Sequence, residues 1–285
     1  MIMNENGQGM LYLCATPIGN LSDITGRVLE TLRSVDLIAA EDTRNSIKLL
    51  NHFGIKVPMI SYHEYNKYDR AGELIAKMQE GADVALITDA GTPAVSDPGE
   101  VLTAMCAEAG ITVTSLPGPC ALITALTLSG LPTRRFVFEG FLPPDKKERS
   151  RILKELENET RTIIIYEAPH HLKGTLSELY DVLGDRRIAI CRELTKKFEQ
   201  VLRMRLDQAV DHYAESEAKG EFVLVIEGRD REEIDRMKED EYRLLDINEH
   251  MAMYESKGMD RMEAMKRVAA DRGVSKREIY RQLIE

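Results

Sequence analysis

Val84-Ala-Leu-Ile-Thr-Asp-Ala-Gly-Thr-Pro-Ala-Val-Ser-Asp-Pro-Gly99 is the stretch on which the fold turns. It opens on an apolar, strand-length run, Val84–Thr88. It passes into a loop built from Gly and Pro. Val101, Leu102 and Met105 then recur at helical spacing, and Gly110 closes that helix. Strand, rigid loop and helix in that order make half of a βαβ unit. Gly lets a backbone approach a ligand closely, and Pro stiffens the turn.

The same alternation extends in both directions. Upstream, Leu11–Cys14 is an apolar run ending at Pro17 and Gly19. Ser22 or Asp23 is expected to cap a helix carrying Ile24, Val28, Leu32 and Val35 on one face. Val35–Ala40 reads as a second strand, Arg44–His52 as a helix stopped by Gly54, and residues 59–62 as a third strand. Leu74, Ile75 and Met78 form the inner face of a helix ending at Gly81, and Ile111–Leu116 follows as a strand. This spacing predicts a parallel sheet with helices on both faces.

Cys120–Leu131 is apolar on every side, so a helix buried between domains is expected there. Leu131-Pro-Thr-Arg134 breaks it and sets the domain boundary. The predicted division is an N-terminal α/β domain over 1–131 and a second α/β domain over 132–230. Strands are expected in the second domain at Arg135–Phe138, Thr162–Tyr166, Ile188–Cys191 and Phe222–Ile226. βαβ spacing is less regular there, which predicts a mixed sheet. Arg229–Asp240 reads as a charged linker, and 241–285 as an extension of three short helices. Asp260 with Glu263, and Ser275 with Glu278, have capping-box spacing. Val268, Ala269, Val274, Ile279 and Leu283 supply the extension's apolar face.

With 285 residues the chain is long for one core, which favours two domains. Hydrophobic residues make up 43% and charged residues 30%, a globular balance. No apolar run reaches the ~18 residues of a membrane span, so no membrane partner and a cytoplasmic protein are expected. The N-terminal residues 1–9 lack a basic segment followed by an apolar one, so no secretory signal is expected. Cys14, Cys106, Cys120 and Cys191 lie far apart without metal-ligand spacing, which predicts reduced thiols and no metal. The net charge of -10 argues against nucleic acid as the partner, because phosphate contacts need a basic surface, though a local basic patch is compatible with it.

Ligands of open parallel sheets bind at the carboxyl ends of the strands. The segments following the five N-terminal strands are Ala15–Asn20, Glu41–Arg44, Ser61–Glu64, Asp89–Gly99 and Pro117–Cys120. All are turns or polar clusters, and they should converge on one edge. No G-x-G-x-x-G follows a strand, and neither a Walker-type phosphate loop nor a G-x-S-x-G elbow occurs. Proton-handling candidates near these ends are Glu41, Asp42, His63 and Asp89, with Glu167 from the second domain. Nothing in the sequence chooses among them, and each also reads as a cap or a loop ion pair.

Leu11–Leu21, Leu37–Arg44, Ile60–Glu64, Thr88–Gly99, Leu116–Leu122, Phe138–Pro143 and Tyr166–His170 together resemble the ribosomal RNA small subunit methyltransferase I family, within the tetrapyrrole methylase superfamily. The likeness runs from about Leu11 to Gly228, and the tail resembles an extension some members carry. It implies two α/β domains with S-adenosylmethionine in the cleft between them. It implies 2′-O-methylation of a cytidine ribose in the decoding region of 16S rRNA within the small ribosomal subunit, and a homodimer. By the same resemblance the cofactor site comprises Pro17, Asp89, Ala90, Gly91, Thr92, Pro93, Pro117, Gly118, Cys120, Ala121 and Tyr166. Thr92 stands where related methylases have an acid, Cys120 where many have Ser, and His171 where Arg is frequent.

Arg44, Arg134, Arg135, Lys146, Lys147 and Arg149 are candidates for RNA phosphate contacts; each also reads as solvated surface. Lys276, Arg277 and Arg281 resemble a helix-turn-helix face. Two other functions are compatible: a methylase of a tetrapyrrole or another small molecule, and a ligand-sensing regulator with a DNA-binding tail. The motifs Glu41-Asp-Thr-Arg44 and Tyr166-Glu-Ala-Pro-His170 favour the RNA branch. Nine basic and nine acidic side chains over 241–285 speak against strong DNA binding.

Overall fold

The computed structural model describes residues 7–284. Residues 1–6 lie outside it, and with them most of the stretch read for a secretory signal.

The first sheet is built from β1 (Leu11–Cys14), β2 (Leu37–Ala40), β3 (Met59–Ser61), β4 (Val84–Ile87) and β5 (Val113–Leu116), in the order β3-β2-β4-β1-β5. Every pairing is parallel. Between the strands run α1 (Gly26–Ser34), α2 (Thr43–His52), α3 (Lys67–Gln79) and α4 (Gly99–Glu108). Side chains alternate across a strand, so Val84 and Leu86 join Leu74 and Leu102 under α3 and α4. Ala85 and Ile87 join Leu32 and Leu50 under α1 and α2. Both faces are thus covered, which is why these strands read as continuous apolar runs.

Chemistry at the helix ends decides the element boundaries. Thr25, rather than Ser22 or Asp23, caps α1, its side chain accepting from the Val28 N–H. Residues 21–23 instead form a short 3₁₀ turn, capped by Asn20. The strands expected from Val35 and Ile111 begin two residues later.

After β5 comes α5 (Ala121–Ser129), stopped by Gly130 in the left-handed conformation. The second sheet contains β6 (Phe136–Phe141), β7 (Thr162–Glu167), β8 (Arg187–Arg192), β9 (Gln200–Arg205) and β10 (Phe222–Ile226), in the order β6-β7-β10-β8-β9. Its β6–β7 pair is parallel and the others are antiparallel, the mixed sheet expected. α6 (Lys146–Leu156), α7 (Leu172–Leu183) and α8 (Leu206–Glu215) cover one face, over Ile163, Ile165, Ile190 and Leu224. The other face, with Ile164, Cys191, Val223 and Val225, packs against Leu122, Ala125 and Leu126 of α5 and against Ile18. The helix that is apolar all round is therefore not wholly enclosed: Ile123 is 45% exposed.

The charged stretch read as a linker is helical. α9 (Arg231–Leu244) starts at an Asp230 cap and continues past the expected linker end. Glu, Lys and Arg are strong helix formers, and pairs such as Arg243–Glu239 add i,i+4 support. The extension itself has three helices, α10 (Ile247–Glu255), α11 (Arg261–Asp271) and α12 (Lys276–Gln282). They enclose a core of their own around Met251, Met265, Val268 and Ile279. The reciprocal capping box forms at Ser275 and Glu278, and Asp260 caps α11 by accepting from the Glu263 N–H.

Candidate active site

Strands β1 and β4 lie side by side, yet the helices after them pack on opposite faces of the sheet. Such a divergence opens a crevice at the strand ends, and loops 15–20 and 89–99 line it. They are stitched together: Thr16 N donates to the Gly91 carbonyl at 2.8 Å, and Gly91 N donates to the Thr16 carbonyl at 3.1 Å. Thr16 Oγ1 donates to the Thr88 carbonyl at 3.2 Å, and Thr92 Oγ1 to the Pro119 carbonyl at 3.0 Å. Gly91 has φ +90, and a Cβ there would stand 3.3 Å from Ile18 Cγ2. Gly91 therefore locks the loop, and its neighbours Ala90 and Thr92 share the cavity wall with it.

The far half of the loop is held by Asp97. Its carboxylate accepts from the N–H groups of Ala94 at 3.0 Å, Val95 at 3.3 Å and Gly99 at 2.7 Å. That cage holds Ala94 and Ser96 at φ 65, a region L-residues rarely occupy. Tyr62, fully buried after β3, donates its hydroxyl to the Pro98 carbonyl at 3.0 Å.

These loops and the second sheet enclose a cavity of about 490 Å³, within the roughly 300–1,000 Å³ typical of small-molecule sites. Ile18, Val95, Leu194 and Val223 form apolar walls. Cys120 and Ala121 bring the N-terminus of α5 to the edge, and the Leu122 N–H donates to the Tyr166 hydroxyl at 3.1 Å. Burial pushes the Tyr166 phenol up to about 12, so it stays protonated. Glu41, Asp89, Asp97, Glu167 and Glu221 line the cavity, and among the described residues no Lys, Arg or His does. Glu41 accepts from Thr88 Oγ1 at 2.7 Å. Partial burial, then the neighbouring Glu41 carboxylate, pushes Asp89 above the ordinary carboxylate range.

Of the residues expected from sequence, the cavity gathers Glu41, Asp89, Ala90, Gly91, Thr92, Cys120, Ala121, Tyr166 and Glu167. Pro17, Pro93, Pro117 and Gly118 sit in the same loops but outside the lining. Asp42 caps α2 and pairs with Arg44, whose side chain is 88% exposed. His63 lies beyond β3 at the sheet edge, where its N–H donates to Asn66 Oδ1. Glu167 is buried, accepting from the Ala168 N–H and from the Thr175 hydroxyl. Arg149 is committed to that hydroxyl and to Glu178. Arg134, Arg135, Lys146 and Lys147 are exposed.

Sequence reasoning missed Ile18, Asp97, Phe141, Leu194, Glu221 and Val223. Asp97 and Phe141 stood inside quoted motifs and were legible. Leu194 and Glu221 carried no local signal; they reach the cavity because β8 and β10 are neighbours. Cys191 also lines it, with burial raising its thiol to about 11. Among the described residues no group of three His, Cys, Asp or Glu side chains is placed to hold a metal ion, and no helix is long and apolar enough to cross a membrane.

Residues 10–210 match the family model of tetrapyrrole (corrin/porphyrin) methylases. The ribosomal RNA small subunit methyltransferase I of Synechocystis sp. is 48% identical over 278 residues, 97% of this chain and 98% of that protein. The enzyme of the same name from Bacillus subtilis is 46% identical over 281 residues, 98% of this chain and 96% of that protein. The chain belongs to the ribosomal RNA small subunit methyltransferase I family.

It is a methyltransferase of the tetrapyrrole methylase superfamily. Solved structures bear out that fold. Uroporphyrin-III-C-methyltransferase from Thermus thermophilus superposes with a TM-score of 0.55 at 20% identity, covering 77% of this chain and 94% of that one. Diphthine synthase gives 0.59 at 14% identity, covering 77% and 90%.

Proposed function

We propose that the protein transfers a methyl group from S-adenosylmethionine to the ribose 2′-oxygen of a cytidine in the decoding region of 16S rRNA, acting on the small ribosomal subunit as a cytoplasmic homodimer. Family membership supports the reaction class and the RNA substrate. The observation carrying the cofactor reading is the cavity's charge: among the described residues five carboxylates line it and no basic side chain does. That lining suits a ligand bearing a sulfonium and an ammonium. The N-terminus of α5, at Cys120 and Ala121, suits the ligand's carboxylate end. Ile18, Val95, Leu194 and Val223 would enclose its apolar parts.

When bound, the cofactor supplies an electrophilic methyl group. The protein's task is to hold the 2′-oxygen in line with it, and such placement is worth up to roughly 7–11 kcal/mol. A ribose hydroxyl is a weak nucleophile, so an acceptor for its proton assists. We assign that role to Asp89, the cavity carboxylate with a raised proton affinity. Asp42 and His63 are outside the cavity, and Glu167 is occupied by Thr175 and Ala168. The exposed Arg134, Arg135, Lys146 and Lys147 are available to phosphates, whereas Arg44 is paired with Asp42.

The test incubates the protein with labelled S-adenosylmethionine and small subunits from a strain lacking the modification. Label on a cytidine 2′-oxygen is expected. Label confined to a small molecule, or absent, overturns the proposal.

A further inference from the structure

We infer that Phe141 is the platform on which the base of the target nucleotide stacks, a role that rests on the function proposed above. Phe141 lines the cavity and yet is 57% exposed, so it stands at the mouth, in reach of both the cavity and solvent. Its position is built by an irregularity in β6. Phe138 pairs with Ile164, but the next paired residue is Gly140, with Ile165, and Phe141 falls opposite Tyr166. Glu139 is the extra residue. Were Glu139 paired with Ile165 instead, Gly140 would face Tyr166, and Phe141 would fall opposite Glu167 with its ring on the other face of the sheet. Bulges of this kind re-aim side chains beside active sites.

Gly140 is needed at the bulge for two reasons. Its φ is +62, and a Cβ there would stand 2.6 Å from Ser96 Oγ of the loop that carries Asp89. The edge strand of one sheet and the key loop of the other therefore meet at Gly140, one residue from Phe141.

The ring is also backed by fixed neighbours. Tyr166 lies 5.5 Å from Phe141 at 61°, and Phe138 lies 4.9 Å from Tyr166 at 70°. The Tyr166 hydroxyl is held by the Leu122 N–H. An aromatic ring held this way presents a preformed surface at little entropic cost. Unpaired bases stack on such rings, and every base has a π-face to offer. Lys146 and Lys147, at the start of α6 just beyond Phe141, are exposed and form no ion pair among the described residues, so they are available to flanking phosphates. The acidic interior repels phosphate but not a neutral base. The base at the mouth and its sugar further in match that division of charge.

The test compares Phe141→Leu, Phe141→Ala and Phe141→Tyr in the full-length enzyme. Leu keeps an apolar side chain but removes the π-face, so it separates stacking from packing. Loss of stacking should raise the KM for unmodified small subunits about 10-fold in the Leu and Ala variants. The Kd for S-adenosylmethionine by calorimetry should not change, and Tyr should recover most of the lost affinity. A wild-type KM in Phe141→Leu overturns the inference. So does a weakened cofactor Kd in that variant, which would place Phe141 against the cofactor instead. If the wild-type enzyme fails to methylate small subunits at all, the proposed function falls first; the inference alone fails when wild type is active and the Leu variant matches it.

Discussion

Thr16 and Gly91 exchange both of their backbone hydrogen bonds, at 2.8 and 3.1 Å, across the crevice between β1 and β4. This bridge joins two loops whose helices pack on opposite faces of the sheet. It fixes the wall of the cavity without occupying it. Gly91 bears the conformational demand of that geometry.

Replacing Gly91 with Ala should therefore act on the loop before the ligand. Holding an L-residue in left-handed backbone costs about 1–2 kcal/mol, and the added Cβ presses on Ile18. The melting temperature should fall by a few degrees, and the Kd for S-adenosylmethionine should rise. Calorimetry measures both. An unchanged melting temperature would show that the bridge does not constrain Gly91.

Asp97 offers a second test of loop rigidity. Three N–H groups converge on its carboxylate, and bonds to a charged group contribute about 1.5–3 kcal/mol each before they are shared. Asp97→Ala should cost about 3 kcal/mol in denaturant unfolding. Amide exchange should quicken at residues 94–99, while β8 and β10 stay protected. Asp97→Asn, which keeps one acceptor oxygen, should lose less.

The pH dependence of methylation should report Asp89. As proton acceptor it works ionised, so activity should rise with pH. The acid limb should lie above the ordinary Asp value of about 3.9, because partial burial and Glu41 raise the carboxyl. Glu41→Gln removes the neighbouring negative charge and should move the limb to lower pH. Asp89→Asn should abolish the limb and lower kcat by roughly 10²–10⁴. A limb unmoved by Glu41→Gln would exclude Asp89 as its source.

The C-terminal extension should weaken in mild acid. Arg272 Nε donates to His250 Nδ1 at 3.1 Å, so the buried imidazole is neutral, with its proton on Nε2 toward Asp271 Oδ2 at 3.2 Å. Tyr242 of α9 stacks on the ring at 4.6 Å, and Tyr254 of α10 shares Asp271. Burial first, and then the neighbouring Arg272 charge, lower the His250 pKa against the opposing pull of Asp271. The unfolded chain thus binds the proton more readily. The stabilisation is complete above the unfolded value of about 6.5 and is lost as pH falls toward the folded value. Protection factors for amides 246–284 should drop between pH 7.5 and 5.5, and His250→Asn should flatten that dependence.

Several errors of the sequence reading share one cause. Ser22, Asp23 and Thr25 are all competent caps, and only the path of the chain after Gly19 selects Thr25. The charged stretch 231–244 buries no residue, yet it is helical through propensity and side-chain pairing. Ile123 looked like a core residue because α5 is apolar all round, but only one side of that helix meets a sheet. Local pattern states what an element can be; its neighbours state what it becomes.

Local chemistry by itself determined the alternation of strand, Pro/Gly loop and helix, the mixed character of the second sheet and the loop motifs that mark the family. These follow from spacing along the chain, which needs no knowledge of contacts. Only the tertiary structure decided which loop ends meet. Strand order places β1 beside β4, β8 beside β10, and the bulged edge of β6 against Ser96. It thereby brings Glu41, Asp89 and Glu221 into one cavity, leaves Asp42 and His63 outside, and stands Phe141 at the mouth. A cavity is lined by residues close in space, and the periodicities of 2.0 and 3.6 residues carry no information about which strand lies beside which.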